Sequence, residues 1–344
     1  MVSRQFCIGD SGLIESFERP FPEPETASNR AFNMSQNSKT IFAKTLFLYA
    51  CRNASEERRA KEYPSYLLHE CGIVDPVAFF HDLHNDGLFQ IATPEQMLNS
   101  LPLAKLKSLL RSHGCSTTGT KSALVLTALS KLSENEIRGC FSGPVFGLSN
   151  LGIRFLADHD DYIMLHSHSW NIEWGQYDSR KRSMPNQPRS DVVASILNER
   201  IGSKNNPFGW VEHFGMYEAF MMDNRHPEAF WQLLVLFYLE LSGCLRLDSV
   251  ILYNEGLISA NDLVGEYVDQ ATSSNTAEYI HELSSCFRPE LEKNITNWEL
   301  PVFFCGKDGF HILLDRALQG RFYQKSVESI LKRSMKTTLG WSKQ

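Results

Sequence analysis

The chain has few cysteines for its length, and none of them stands in a closely spaced pair. Eight cysteines are scattered over 344 residues, and no two have the C-x-x-C spacing. Paired C-x-x-C spacing is the usual sign of a cysteine zinc site, and this sign is absent. Scattered thiols are typical of a reducing compartment, and we therefore expect a cytoplasmic protein with free cysteines.

Long apolar runs are also missing. The longest run, residues 229–243, is interrupted by Gln232 and Glu240. It is too short to cross a bilayer and predicts a buried helix instead. Residues 1–10 carry charges where a signal peptide would have an apolar stretch. We therefore expect no membrane partner.

Acidic residues are absent from one segment of an otherwise acidic chain. The formal net charge is -6, yet residues 97–133 contain no Asp or Glu. A local excess of positive charge favours a polyanionic partner such as a nucleic acid. The five cations of this segment are Lys105, Lys107, Arg111, Lys121 and Lys131.

The same segment predicts two short helices joined by a turn. Leu103, Leu106, Leu109 and Leu110 fall on one helical face, with the cations of the first helix away from its centre. Gly114 stands where a helix commonly ends in a left-handed residue. The hydroxyls of Ser116, Thr117 and Thr118 are expected to cap the second helix. The apolar run of this second helix, residues 123–129, is expected to dock against the rest of the protein.

The predicted turn has the chemistry of a phosphate site. Free backbone N–H groups at a helix start favour an anion, and Gly119 would let a phosphate approach closely. No catalytic residue and no cofactor is predicted. The expected DNA-binding residues are Lys105, Lys107, Arg111, Thr117, Thr118, Gly119, Thr120, Lys121, Ser122 and Lys131.

Residues 97–133 resemble the SAP domain, a small helix-extended-helix DNA-binding module. The resemblance rests on the spaced Leu103, Leu106, Leu110 and Leu124, on Gly114, and on the sequence Gly119-Thr-Lys121. It implies DNA binding through the phosphate backbone, to duplex more than to RNA and with a preference for A/T-rich sequence. Residues 63–177 also resemble uncharacterised bacterial and phage proteins that carry such a unit.

The flanking sequence predicts a winged-helix-like frame from about Tyr63 to His159. Asp75 and Pro76 predict the start of a helix, and Gly87 predicts its end. Residues 145–148 are predicted to form a strand, followed by a helix that Ser149 caps. The SAP-like unit would be inserted into this frame or packed upon it. The alternative is a plain helical hairpin at residues 63–87.

Four segments are expected along the chain. A mobile polar arm (1–38) precedes a winged-helix-like domain (39–178) that contains the SAP-like unit (97–133), and a basic linker (179–189) leads to an all-helical domain (190–344). The expected fold class is therefore mainly α with a small β contribution. Further candidate phosphate contacts are Arg180, Lys181, Arg182 and Arg189 of the linker and the basic stretch 321–344. The alternative is a solvated linker for the first set and a partner-binding helix for the second.

Two histidine pairs leave room for a metal-dependent enzyme acting on nucleic acid. If residues 162–168 form a strand, His166 and His168 point to one side, near several carboxylates, and are candidate metal ligands. His81 and His84 lie one helical turn apart without an evident third ligand. Packing or surface histidines are the favoured interpretation. A third hypothesis is a non-catalytic protein whose helical domain binds a protein partner; the oligomeric state stays open.

Overall fold

Helices dominate the architecture. The computed structural model describes residues 39–58, 60–202, 208–300 and 303–338, so the predicted arm at 1–38 lies outside the described residues. The structure contains 68% helix and 3% strand, which confirms a mainly α fold with a small β contribution. Within the described ranges, no helix has the length and apolar character needed to cross a membrane.

The first half of the chain holds all the strands of the described residues. A small antiparallel sheet has the order β1-β3-β2, with Ser55 opposite Phe146 and Phe89 opposite Leu148. Its elements are α1 (39–50), β1 (Ser55–Glu56), a 3-10 turn (Ala60–Glu62), α2 (Tyr66–His69), α3 (Pro76–Asn85), β2 (Phe89–Ile91), α4 (Pro94–Ser100), α5 (Leu103–Ser112), α6 (Lys121–Lys131), α7 (Glu134–Arg138), β3 (Val145–Leu148), α8 (Asn150–Asp158), α9 (Asp160–Ser167) and α10 (Trp174–Ser183).

The second half is helical throughout its described residues. Two further 3-10 turns interrupt it, at Cys244–Arg246 and Ser284–Cys286. Its helices are α11 (Arg189–Asn198), α12 (Trp210–Met222), α13 (His226–Ser242), α14 (Leu247–Asn254), α15 (Ala260–Ser273), α16 (Thr276–Glu282), α17 (Pro289–Thr296), α18 (Gly306–Leu318) and α19 (Gln324–Thr338).

The helices α4 to α7 are inserted between the two strands of a hairpin. β2 and β3 pair directly, and at their ends the Ala92 N–H donates to the Val145 carbonyl at 2.8 Å. The predicted helix starts on either side are confirmed. Asp75 accepts from the N–H groups of Val77 and Ala78, and the Ser149 hydroxyl accepts from the Gly152 N–H.

The buried apolar residues form two clusters. The main core runs through both halves of the chain, from Phe42 on α1 to Leu331 on α19. A smaller core fills the insertion and is built around Leu98, Leu106 and Leu124. We call residues 94–138, which include α4 to α7, the inserted unit. Its core also includes Ala54, Ala92 and Val145, which lie in or beside the strands of the sheet.

The segment predicted as a basic linker, 179–189, is shorter as a connection than expected, because only residues 184–188 lie between two helices. Residues 179–183 complete α10, and Arg189 begins α11. Three of the four bases are held by acids from other elements: Lys181 contacts Asp161, and Arg189 contacts Asp160 and Asp223 at 2.8 Å each. Arg180 is likewise paired with Glu199. The charges therefore stabilise a packed junction instead of marking a solvated chain.

Candidate nucleic-acid interface

The two predicted helices of the acid-free segment are α5 and α6. Gly114 closes α5 with φ of +67°, and the Cys115 N–H reaches back to the Leu110 carbonyl at 2.9 Å. This left-handed conformation disfavours a side chain, which explains the glycine. The chain then turns through residues 116–120 before α6 begins.

The start of α6 differs in one detail from the expectation. Thr120 is the capping residue, and its hydroxyl accepts from the Ala123 N–H at 3.3 Å. The expected caps Ser116 and Thr118 bond to each other instead, at 2.9 Å, and Thr117 is half-buried. Within the described part of the chain, the N–H groups of Lys121 and Ser122 have no acceptor, as is usual for the first turn of a helix.

The five cations of the segment carry no compensating carboxylate. Four are exposed and Lys107 is half-buried, and none forms a salt bridge with any residue that the structure describes. The next acids along the chain, Glu134 and Glu136, are paired with Arg138 at 2.6 Å and with His113 at 3.2 Å. Hydrogen bonds from Ser133, helped by His113, also hold the pKa of Glu136 below its ordinary value. The positive charge of the segment is therefore not neutralised locally.

The cations of α5 lie on two different sides of the helix. Lys107 and Arg111 are four residues apart and share one side, whereas Lys105 is rotated by more than a quarter turn from both. Lys105 instead lines a cleft of about 570 Å³, and the other charged residues of its lining are Glu56, Glu57, Glu62 and Arg58. These carboxylates would repel a phosphate, so Lys105 is separated from the other cations by its surroundings.

Lys121 has a bond within the protein. Its ammonium group donates to the backbone carbonyl of Asn99, at the end of α4, at 2.6 Å. A cation at a helix C-terminus is favourable because the last carbonyls carry partial negative charge. Lys121 is exposed, but it also joins α6 to α4.

The apolar face predicted for α5 and α6 is buried in part. Leu106 and Leu110 are fully buried and Leu109 half-buried, but Leu103 is 44% exposed, since it lies at the first turn of α5 beyond the small core. Leu124, Val125 and Ala128 of α6 are buried in the small core against α4 and α5, not against the main core as expected, and Leu126 on the opposite side is exposed.

Gln96 is a positioning residue that the sequence analysis missed. Its side-chain nitrogen donates to the Leu148 carbonyl at 2.9 Å, and its oxygen accepts from the Thr93 N–H at 3.0 Å. It thereby ties α4 to strand β3. The sequence Thr93-Pro-Glu-Gln96 has the spacing of a capping box, and this pattern predicts that Gln96 bonds at the start of α4.

The strand at 162–168 on which the His166–His168 pair depends is not formed, because these residues belong to helix α9 and its C-cap. Residues two apart on a helix point in different directions, so the histidines are separated. His166 Nδ1 lies 2.9 Å from a Glu70 carboxylate oxygen, while His168 Nδ1 lies 2.8 Å from the Met164 carbonyl. No group of three possible metal ligands occurs among the described residues, including those around His81.

Comparison with known proteins identifies no relative. No family model, no curated protein and no solved structure matches the chain. The SAP resemblance and the winged-helix-like frame therefore stay predictions. The functional argument rests on the geometry and charge of the inserted unit.

Proposed function

We propose that the protein binds the phosphate backbone of duplex DNA through one face of the inserted unit. The contacting groups are Lys107 and Arg111 on α5, Lys131 at the end of α6, and the start of α6 at residues 118–122. The protein would act in the cytoplasm of a bacterium or on behalf of a phage. It would serve as a binding protein with no catalytic step of its own.

The observation that carries this proposal is the uncompensated charge. Elsewhere in the molecule, several arginine and lysine side chains pair with acids, as Arg189 and Arg225 do. The five cations of residues 97–133 form no salt bridge with a described residue, and the same segment contains two open N–H groups at the start of α6. Both features are favourable for a phosphate oxygen, and their coincidence on one small unit supports a polyanionic ligand.

Such contacts would position the protein on DNA without reading sequence. Lysine, arginine, hydroxyl groups and helix N-termini bind phosphate oxygens, which are the same at every base pair. Gly119 and Ser122 are exposed, so a phosphate can reach the turn. The A/T preference implied by the SAP resemblance would then come from groove shape, which a comparison of A/T-rich and G/C-rich duplexes tests.

The decisive experiment reverses the charge of the α5 face. We expect Lys107→Glu with Arg111→Glu to weaken duplex binding at least about tenfold at low salt, because two phosphate contacts are lost. The log–log salt dependence should fall by roughly two, since each contact contributes about 0.9 to the slope. Fluorescence anisotropy titrations at several salt concentrations measure both quantities.

A matched control separates local charge from net charge. Lys293→Glu with Lys307→Glu changes two exposed lysines outside the inserted unit and alters the net charge equally. We expect this control to keep the affinity and slope of the unmodified protein. Equal weakening by both double variants, or unchanged binding in the α5 variant, would refute the assigned surface. Lys121 is left intact because its bond to Asn99 would confuse binding with folding.

A further inference from the structure

A carboxylate is buried in the main core without a cation beside it. Glu240, on helix α13, is only 2% exposed. Its oxygens accept from three neutral donors: the Ser274 hydroxyl at 2.8 Å, the Thr276 hydroxyl at 2.9 Å and the Trp210 indole N–H at 3.2 Å. The donors belong to the start of α12 and to the junction between α15 and α16. One side chain thus ties three elements together.

No charged group compensates Glu240 among the described residues. On α12 the buried His213 faces Gln232, at 2.7 Å. Of the tyrosines, Tyr238 on α13 donates to the Trp298 carbonyl and Tyr267 on α15 to the Gly243 carbonyl. Glu212 is buried on α12 and shifts the pKa of His213, not that of Glu240. The remaining ionisable groups on the helices packed against α13 include the exposed Glu266, Asp269, Glu278, Glu282, Glu290, Lys293, Lys307, Asp308, His311 and Asp315.

We propose that Glu240 is a proton-operated latch that holds the α15–α16 junction, residues 274–276, against α12 and α13. The latch is closed when Glu240 carries a proton and is weakened when the proton leaves. This device is independent of DNA binding, because it lies in the main core and not in the inserted unit.

The donor set suits both protonation states. A hydroxyl group can either donate or accept a hydrogen bond. When Glu240 is neutral, the hydroxyl of Ser274 or Thr276 can therefore accept a hydrogen bond from its carboxyl O–H, while Trp210 continues to donate. Ionised Glu240 keeps three hydrogen bonds but has lost its hydration without gaining a counter-ion. Burial accordingly raises the pKa of Glu240 from the ordinary 4.5 to about 7, against the opposing effect of the three hydrogen bonds.

The sign of the pH effect follows from proton linkage. An opened junction leaves Glu240 solvated with its ordinary pKa of 4.5, whereas the closed junction holds the proton up to about pH 7. Between these values, each pH unit favours opening roughly tenfold. Above about pH 7 both states are ionised, and the dependence levels off.

Hydrogen–deuterium exchange of the full chain tests the latch. We expect protection factors at residues 272–278, corrected for intrinsic exchange, to fall at least about tenfold between pH 5.5 and pH 7.5. Glu240→Gln should abolish this pH dependence, since glutamine keeps the shape and cannot ionise. Glu278→Gln, the same change at an exposed position on α16, should leave it intact.

A second measurement covers the case in which Glu240→Gln does not fold. The side-chain carboxyl signal of Glu240 in the unmodified protein, followed by carbon NMR, should titrate near neutral pH. Thr276→Val removes one donor to the ionised form and should move that midpoint upward. A midpoint near 4.5, or the same exchange profile in the unmodified protein and Glu240→Gln, would overturn the proposal.

Discussion

At the scale of single residues, a buried histidine makes the folded state sensitive to acid. His213 on α12 is 7% exposed, and its Nδ1 lies 2.7 Å from the Gln232 side-chain oxygen. Burial lowers the pKa of His213 below its ordinary value, against a smaller opposing effect of Gln232. The folded protein therefore holds the neutral imidazole, which donates to Gln232.

Acid should destabilise the protein through this residue. Below pH 6.5 the unfolded chain takes up a proton at His213 while the folded chain resists, so stability is lost as the pH falls toward the lowered pKa. The contribution is at most about 1.4 kcal/mol per pH unit. Urea unfolding at pH 7.5, 6.5 and 5.5 measures it as a difference from His213→Gln, which cannot charge.

The difference measurement is needed because Glu240 acts in the opposite direction over part of the same range. His69→Gln provides the control, since His69 is exposed at the end of α2. It should show the pH dependence of the unmodified protein. If His213→Gln also shows that dependence unchanged, His213 is not the acid-sensitive group.

At the scale of elements, helix α8 fits the sheet only because of one glycine. A Cβ atom added to Gly152 would lie 2.3 Å from the Leu88 backbone carbonyl oxygen, which is too close for any contact. The same carbonyl accepts from the Ser149 N–H at 3.0 Å, so it cannot move freely. The start of α8 is thereby pressed against the chain just before β2.

Gly152→Ala should therefore destabilise the protein by about 1–3 kcal/mol or more, because backbone must shift to admit the methyl group. Gly175→Ala is the matched control. It also lies in the first turn of a helix, α10, and its added Cβ meets nothing within 4 Å. We expect it to be neutral or to stabilise slightly. Equal denaturation midpoints for the two variants would contradict the close approach of α8.

Elements with local signals could be predicted from the sequence, and those determined by distant contacts could not. Asp75, Gly114 and Ser149 act on their own chain neighbours, and their helix boundaries are confirmed. The bases of α10 have the sequence pattern of a solvated linker. Their acidic partners, such as Asp161 and Glu199, lie elsewhere in the chain, so the local sequence does not reveal the pairing.

The candidate site divides in the same way. The cations and the turn are visible as a local pattern, and helical spacing alone separates Lys107 and Arg111 from Lys105. The acids that line the cleft with Lys105 and the carbonyl bound by Lys121 come from other elements, so no local pattern could reveal them.

At the scale of the whole molecule, the two apolar cores divide the chain differently from the four expected segments. The main core includes Phe42, Tyr177, Val193 and Leu331, and so joins residues on both sides of position 189. The smaller core lies mostly in the inserted unit, with Ala54, Ala92 and Val145 added from the strands and their ends. The two cores should respond separately to mutation.

Truncating one leucine in each core tests this division. Leu106→Ala, in the inserted unit, and Leu239→Ala, on α13, each remove a side chain that is at most 1% exposed, and each should cost about 2–5 kcal/mol. We expect Leu106→Ala to raise amide exchange mainly within residues 94–138, and Leu239→Ala to lower the midpoint of the main unfolding transition. If both variants shift every probe equally, the molecule is one cooperative unit.

The hydrogen bond between Ala92 and Val145 holds the two ends of the inserted segment together, so the segment can in principle be transferred to another protein. Residues 93–144 leave the hairpin and return to it at neighbouring positions, and their removal would break only a few side-chain bonds to the scaffold, such as those of Gln96 to Leu148 and of Ser142 to Glu56. Any antiparallel hairpin with an open end offers the same attachment geometry. The inserted unit can therefore be grafted onto another antiparallel hairpin, and a short turn can join the two strands from which it is removed.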